Sequence, residues 1–207
     1  MSTAEDELTI SFIPPAGWER IDVDPDRRDA QLFKVLNPMR NTVANWHEVY
    51  PKVRQGLSNA YEQAWNSGVR LAYTTNPDPQ GVDNLMATFM VSIMPPASAF
   101  GEIDEELEVI SETLLEEQEA LADDEVMDLI PVDVPELGRG IQAAAVASAR
   151  SLTGDGPADT KLVHFRTFIP TAGQVLVTTG VSPQTDVAET LFELFALITS
   201  SVRVTSK

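Results

Sequence analysis

Cysteine is missing altogether. The chain therefore has no disulfide framework, no thiolate metal site and no thiol nucleophile. Such usage fits a reducing compartment, and a cytoplasmic location is the expectation. Long apolar runs are missing too. None approaches the roughly 18 residues that cross a bilayer, so membrane insertion is not expected. The first residues, Met1-Ser-Thr-Ala-Glu-Asp-Glu7, carry no basic stretch and no apolar stretch. No signal peptide or lipid-anchor start is read there. Basic residues are scarce: 14 Lys and Arg face 32 Asp and Glu, for a net charge of −18. A nucleic-acid binder needs a positive footprint, and a polybasic membrane-surface protein needs a positive cluster. Both classes are disfavoured.

What remains is ordinary globular material. The 207 residues are 43% hydrophobic and 22% charged, which excludes collagen-like and wholly disordered chains. The expectation is a single domain over residues 1–207, with short flexible ends at about 1–6 and 203–207.

The acidity is local. Residues 102–138 hold 15 acids and no Lys or Arg, which leaves the rest of the chain 17 acids against 14 bases. Within that block Ile103, Leu107, Ile110, Leu114 and Leu121 recur at helical spacing, which predicts a helix with one apolar stripe. Glu105, Glu108, Glu112, Glu116 and Glu119 fall largely off the stripe. Like charges at i,i+4 weaken a helix, so packing of the leucine face has to hold this one. The glutamates form a solvated face that aids solubility, a docking face for a protein partner with a basic or mixed surface, or a low-affinity cation site.

Elsewhere the pattern alternates between short strands and helices. Strands are predicted over residues 8–13, 18–23, 69–75, 85–94, 126–134, 141–150, 162–169 and 174–181. The alanines of the 141–150 segment favour helix by propensity, but its place after Gly138-Arg-Gly140, read as a turn, favours a paired strand. Asp24-Pro25 and Asn37-Pro38 read as helix starts, and Asp186 with Glu189 as a capping box. A long helix to about Asn66 should kink, or break and restart, near Tyr50, because Pro51 lies inside it. The turn-rich segments Asn76–Gly81 and Thr153–Pro157 read as loops, and Ser201 onward as a tail. Strands grouped in hairpins, with helices between the groups, predict an α+β fold: a largely antiparallel sheet with helices packed against it.

The opening Phe12-Ile-Pro-Pro-Ala-Gly-Trp18 resembles the start of PsbP-like proteins. The ending does as well: an apolar strand, Ser182-Pro183, a helix of the Phe192-Glu-Leu-Phe-Ala-Leu197 type, then Ser201-Val-Arg-Val204. The whole pattern also resembles actinobacterial type VII secretion-associated proteins of that fold. The resemblance implies a PsbP-like architecture and a non-enzymatic interaction module, adaptor or chaperone-like, linked to a specialised secretion system. It implies no cofactor. The long helical region around Pro51 and the acidic block depart from the family pattern.

Short motifs add little. Gly138-x-Gly140-x-x-Ala143 resembles a dinucleotide fingerprint but stands late in the chain, with no run of βα units after it. Asp22-x-Asp24-x-Asp26 begins like a calcium loop, yet Arg27 and Phe33 occupy the positions that need Gly and Glu. His47 and His164 are not at metal-ligand spacing. On its strand His164 shares a face with Leu162 and Arg166, while Val163, Phe165 and Ile169 point the other way. His164, Arg166 and nearby carboxylates could therefore converge, which motivates the alternative: a small-ligand binder or an unrecognised enzyme, with a pocket between sheet and helices. Trp18, Trp46, Trp65, Tyr50 and Tyr61 are expected in the core.

Overall fold

A computed structural model describes residues 8–75, 85–98, 102–153, 159–171 and 173–206. The loop expected over Asn76–Gly81, most of the one at Thr153–Pro157, and the end at 1–6 lie outside the described residues.

Seven strands form one antiparallel sheet. They are β2 (Trp18–Ile21), β3 (Val69–Thr75), β4 (Thr88–Met94), β5 (Val126–Val134), β6 (Gly138–Ser148), β7 (Lys161–Thr171) and β8 (Gln174–Ser182). Their order across the sheet is β2-β3-β4-β8-β7-β6-β5. The α+β reading holds. Two short strands, β1 (Leu8–Ser11) and β9 (Arg203–Ser206), pair antiparallel beside it. The tail expected after Ser201 is thus corrected: backbone groups of Arg203–Ser206 find partners on β1, which ties the two ends of the described chain together.

The period-2 pattern sorts side chains onto two faces. One face of β7 carries Val163, Phe165 and Ile169, all buried. With Phe89, Val91 and Leu176 they pack against α5 (Ala188–Ser200) through Leu191, Phe195 and Ile198. Rings run through this layer, Phe89 to Phe195 at 6.1 Å and Phe165 to Phe195 at 5.8 Å between centroids. Buried Thr178 of β8 and Thr199 of α5 satisfy each other's hydroxyls at 2.9 Å.

The opposite face packs against α3 (Ile103–Glu119). Ile110 and Leu114 of that helix meet Met127, Ile141, Ala143, Ala145, Val175 and Val177. The alanines of β6 are explained here. Their small side chains fit beneath a helix, so tertiary packing overrides their helix propensity. The strand ends at Ser148, and Ala149–Thr153 forms the short helix α4.

Near β2 and β3, helix α2 (Trp46–Asn66) covers a smaller apolar group of Val23, Val69 and Ala72 through Tyr61, Ala64 and Trp65, and α1 (Arg28–Leu36) packs beside α2. Several expectations are corrected here. The break in the long helix falls before Trp46, where Asn45 takes the left-handed conformation at φ 55°, and Pro51 sits inside a continuous α2. Asn is among the few non-glycine residues that tolerate that region. Asp24 does not cap α1. Its carboxylate accepts from the Asp26 N–H at 2.9 Å, in a turn ahead of a helix that starts at Arg28. Asp186 lies in a 3-10 turn (Thr185–Val187), and α5 has no side-chain cap. Gly138 and Gly140 are strand residues, with the turn just before them, so no helix follows the fingerprint-like stretch. Of the aromatics expected in the core, Trp18, Trp46, Trp65 and Tyr61 are half-buried and Tyr50 is exposed.

Candidate functional site

A cavity of about 400 Å³ opens between α3 and the middle of the sheet. Its floor comes from β4, β7 and β8, including Ser92, Phe168, Val177 and Thr179. Ile110, Thr113, Leu114 and Glu117 of α3 form one wall, and Pro95 and Ala97, just past β4, form the rim.

The register explains the floor. Arg166 pairs with Thr179 across β7 and β8, and Phe168 pairs with Val177. All four side chains therefore point to the α3 side, as the alternation around His164 predicts. Among the described residues, Arg166 is the one basic residue of the lining. Both Nη groups of its guanidinium donate to the Glu117 carboxylate, Nη1 to Oε1 at 3.4 Å and Nη2 to Oε2 more closely. Its carbon centre stands 5.5 Å from the Phe168 ring centroid. Its Nε is buried and meets no acceptor among the described residues. The two partners differ in exposure: the Arg166 side chain is 15% exposed, that of Glu117 41%.

His164 lies two positions before Arg166 on the same face, half-buried. Burial, with the charge of Arg166 as the second cause, pushes its pKa down to about 4. It is neutral at physiological pH. His47 sits far off on α2, exposed, with Glu48 at 3.6 Å. Among the described residues no group of three His, Asp or Glu side chains is placed to hold a metal ion. No helix among them is long and apolar enough to cross a membrane.

The acidic helix divides into two kinds of glutamate. At about 100° per residue, Glu105, Glu108, Glu112, Glu116 and Glu119 fall within an arc of about 80°, opposite Leu114. All five are exposed, and among the described ion pairs none involves them. Glu106 and Glu117 fall on the inward side instead. Glu106 is buried, and its carboxylate accepts from the Ala97 N–H at 2.6 Å, the Ser98 N–H at 2.8 Å and the Ser98 hydroxyl at 2.6 Å. Desolvation raises its pKa, but the Ser98 and Ala97 donors together outweigh that and leave it below the ordinary value. Glu106 thereby fixes the rim of the cavity to the first turn of α3.

The sequence pattern did not single out these two residues. The signal was available: Glu106, Ile110, Leu114 and Glu117 recur at four, four and three, so two acids stand on an apolar stripe. A second carboxylate of this kind, Glu125, accepts from the backbone N–H groups of Ser148 at 2.7 Å and Ala122 at 3.2 Å. Desolvation opposes ionisation there, and the Ser148, Ser151 and Ala122 donors overcome it, which brings the pKa to about 2.

No protein-family model matches the sequence, and no curated protein matches it. Among solved structures the chain is similar to LpqN, a protein involved in cell envelope biogenesis of Mycobacterium tuberculosis. The identity is 11%, over 97% of this chain and 86% of that one, with a TM-score of 0.48. It is also similar to a cyanobacterial PsbP, CyanoP from Synechocystis sp. PCC 6803. That identity is 13%, over 99% of this chain and 96% of that one, with a TM-score of 0.42. PsbP is the family that the two ends of the chain resemble.

Proposed function

We propose that this protein is a non-enzymatic binding module and that its binding site is the cleft between α3 and the sheet. The cavity itself carries the reading. At about 400 Å³ it has the size of a small-molecule site. Its lining is mostly apolar, with a few polar groups grouped around one ion pair, the pattern by which such sites combine affinity with orientation. Those polar groups are hydroxyls and a paired guanidinium, which suit recognition more than turnover.

A neutral apolar dye, N-phenyl-1-naphthylamine, tests the reading. Wild type should bind it saturably with a rise in fluorescence. Thr113→Trp, which places an indole at the cavity wall, should abolish that signal while the far-UV circular dichroism stays unchanged. A signal that Thr113→Trp leaves intact, or no signal in wild type, would remove the cleft from the account.

A second reading rests on a different observation, the alignment of Glu105, Glu108, Glu112, Glu116 and Glu119 along the solvent side of α3. That stripe suits docking of a protein partner with a basic surface, steered by charge.

A further inference from the structure

We infer that the cleft selects an amphipathic small-molecule carboxylate, whose anionic head replaces Glu117 as the partner of Arg166. The inference rests on the cleft being a ligand site and adds the sign of the ligand's charge.

Exposure decides that sign. A ligand entering the cavity has to meet or split the Arg166–Glu117 pair, because both side chains line it. A cationic head would pair with Glu117 and strand Arg166, whose side chain is only 15% exposed. A buried charge without its partner is strongly unfavourable. An anionic head would pair with Arg166 and release Glu117, which at 41% exposure already reaches water. The second exchange leaves no buried charge alone.

Geometry points the same way. The Glu117 carboxylate engages the two Nη groups and leaves the buried Nε without an acceptor among the described residues. An incoming carboxylate can take over the Nη groups that Glu117 gives up, in the two-point arrangement that guanidinium and carboxylate favour, and a small turn of the guanidinium plane would bring Nε into the same contact. Thr179, cross-strand from Arg166 on the same face, places a hydroxyl beside the head group. The apolar remainder of the ligand would lie along Ile110, Leu114, Phe168 and Val177.

The overall charge does not forbid an anion. The exposed glutamates of α3 stand on the far side of the helix from the cavity. Solvated charges are largely screened beyond a Debye length of about 8 Å at physiological ionic strength.

Three probes of equal chain length test the inference by isothermal titration of the full chain: decanoate, decanol and decyltrimethylammonium. Decanoate should bind at least about tenfold tighter than decanol, the scale of a hydrogen-bonded charge. Arg166→Met should bring decanoate down to the affinity of decanol, with decanol itself little changed. Glu117→Gln removes the competing carboxylate, keeps the side-chain shape, and should strengthen decanoate binding. It carries the test by itself if Arg166→Met does not fold. Equal affinity for decanoate and decanol, tighter binding of the ammonium, or weaker decanoate binding by Glu117→Gln would overturn the inference while the cleft remains a ligand site. If none of the three probes binds, the inference and the cleft reading fall together.

Discussion

Ser98 donates both its backbone N–H, at 2.8 Å, and its hydroxyl, at 2.6 Å, to the same oxygen of Glu106. The chain just after β4 is thereby fastened to the first turn of α3, and the rim of the cavity is part of that fastening. Glu106→Gln replaces one acceptor oxygen with an amide that donates, so a donor is left facing a donor. The variant should melt at a lower temperature than wild type at neutral pH. The Glu106 pKa lies below its ordinary 4.5 in the folded state, so its contribution is fully present above that value and is lost as pH falls through the folded pKa. The gap in melting temperature between wild type and Glu106→Gln should therefore narrow below pH 4.5. A gap that is constant with pH would mean that the charge of Glu106 contributes nothing.

His164 gives a pH dependence in a different window. Its folded pKa of about 4 lies below the ordinary 6.5, because burial and then Arg166 disfavour the cation. The unfolded chain binds more protons between those two values, so stability rises with pH across them. Going from about pH 7.5 to about pH 5, this one group should remove about 2 kcal/mol of stability. His164→Gln cannot titrate and should lose correspondingly less over the same interval. Urea denaturation at both pH values measures the difference. Parallel losses in the two proteins would show His164 to be hydrated when folded.

A Cβ at Gly180 would stand 2.4 Å from the Phe195 ring. Gly180 lies on β8 between Phe89 and Phe165, its cross-strand partners, and the missing side chain leaves room for the ring of α5. Gly180→Ala should destabilise the protein by about 1–3 kcal/mol through overpacking. Phe195→Ala should cost about 3–5 kcal/mol, since it empties the centre of the layer. In the double variant Gly180→Ala/Phe195→Ala the first cost should vanish, because the clash is with the deleted ring. Additive costs by chemical denaturation would show that the strand, and not the ring, resists the methyl group.

Much of this architecture was legible because burial writes itself into spacing. Val69–Thr75 and Val126–Val134 are strands over the residues that their alternation marks, and the α3 stripe of Ile110 and Leu114 is buried as its period requires. Helix starts were less legible. Asp24 and Asp186 have the side chains of caps, but the structure uses turns there, and the helices begin a few residues later. Asn37 does stand at a helix start, but of a four-residue 3-10 helix (Pro38–Asn41) without a side-chain cap bond, and α2 follows only at Trp46. Strand β9 has four residues and depends on β1 at the other end of the described chain, a pairing that no local pattern encodes. The site divides in the same way. Alternation put Arg166 and His164 on one face of β7. The choice of Glu117 as partner, and of Glu106 as rim anchor, came from inward positions on a helix where acids outnumber every other cue.

The exposed glutamates of α3 lend themselves to a charge test that leaves the cleft untouched. Glu108 and Glu112, and Glu112 and Glu116, are i,i+4 neighbours on one solvent-facing arc. Each such like-charge pair costs a helix about 0.2–0.5 kcal/mol. Replacing Glu105, Glu108, Glu112 and Glu116 with Gln should thus raise the melting temperature slightly at low salt, and the gain should shrink as salt screens the wild-type repulsion. Dye binding in the cleft should not change, because these side chains point away from it. If the stripe docks a basic partner, the same variant should also lose the salt-dependent part of that association, seen as a slower on-rate on a sensor coated with a lysine-rich protein such as cytochrome c. An on-rate equal to that of wild type at low salt would leave the stripe a solvated face and take the docking reading away.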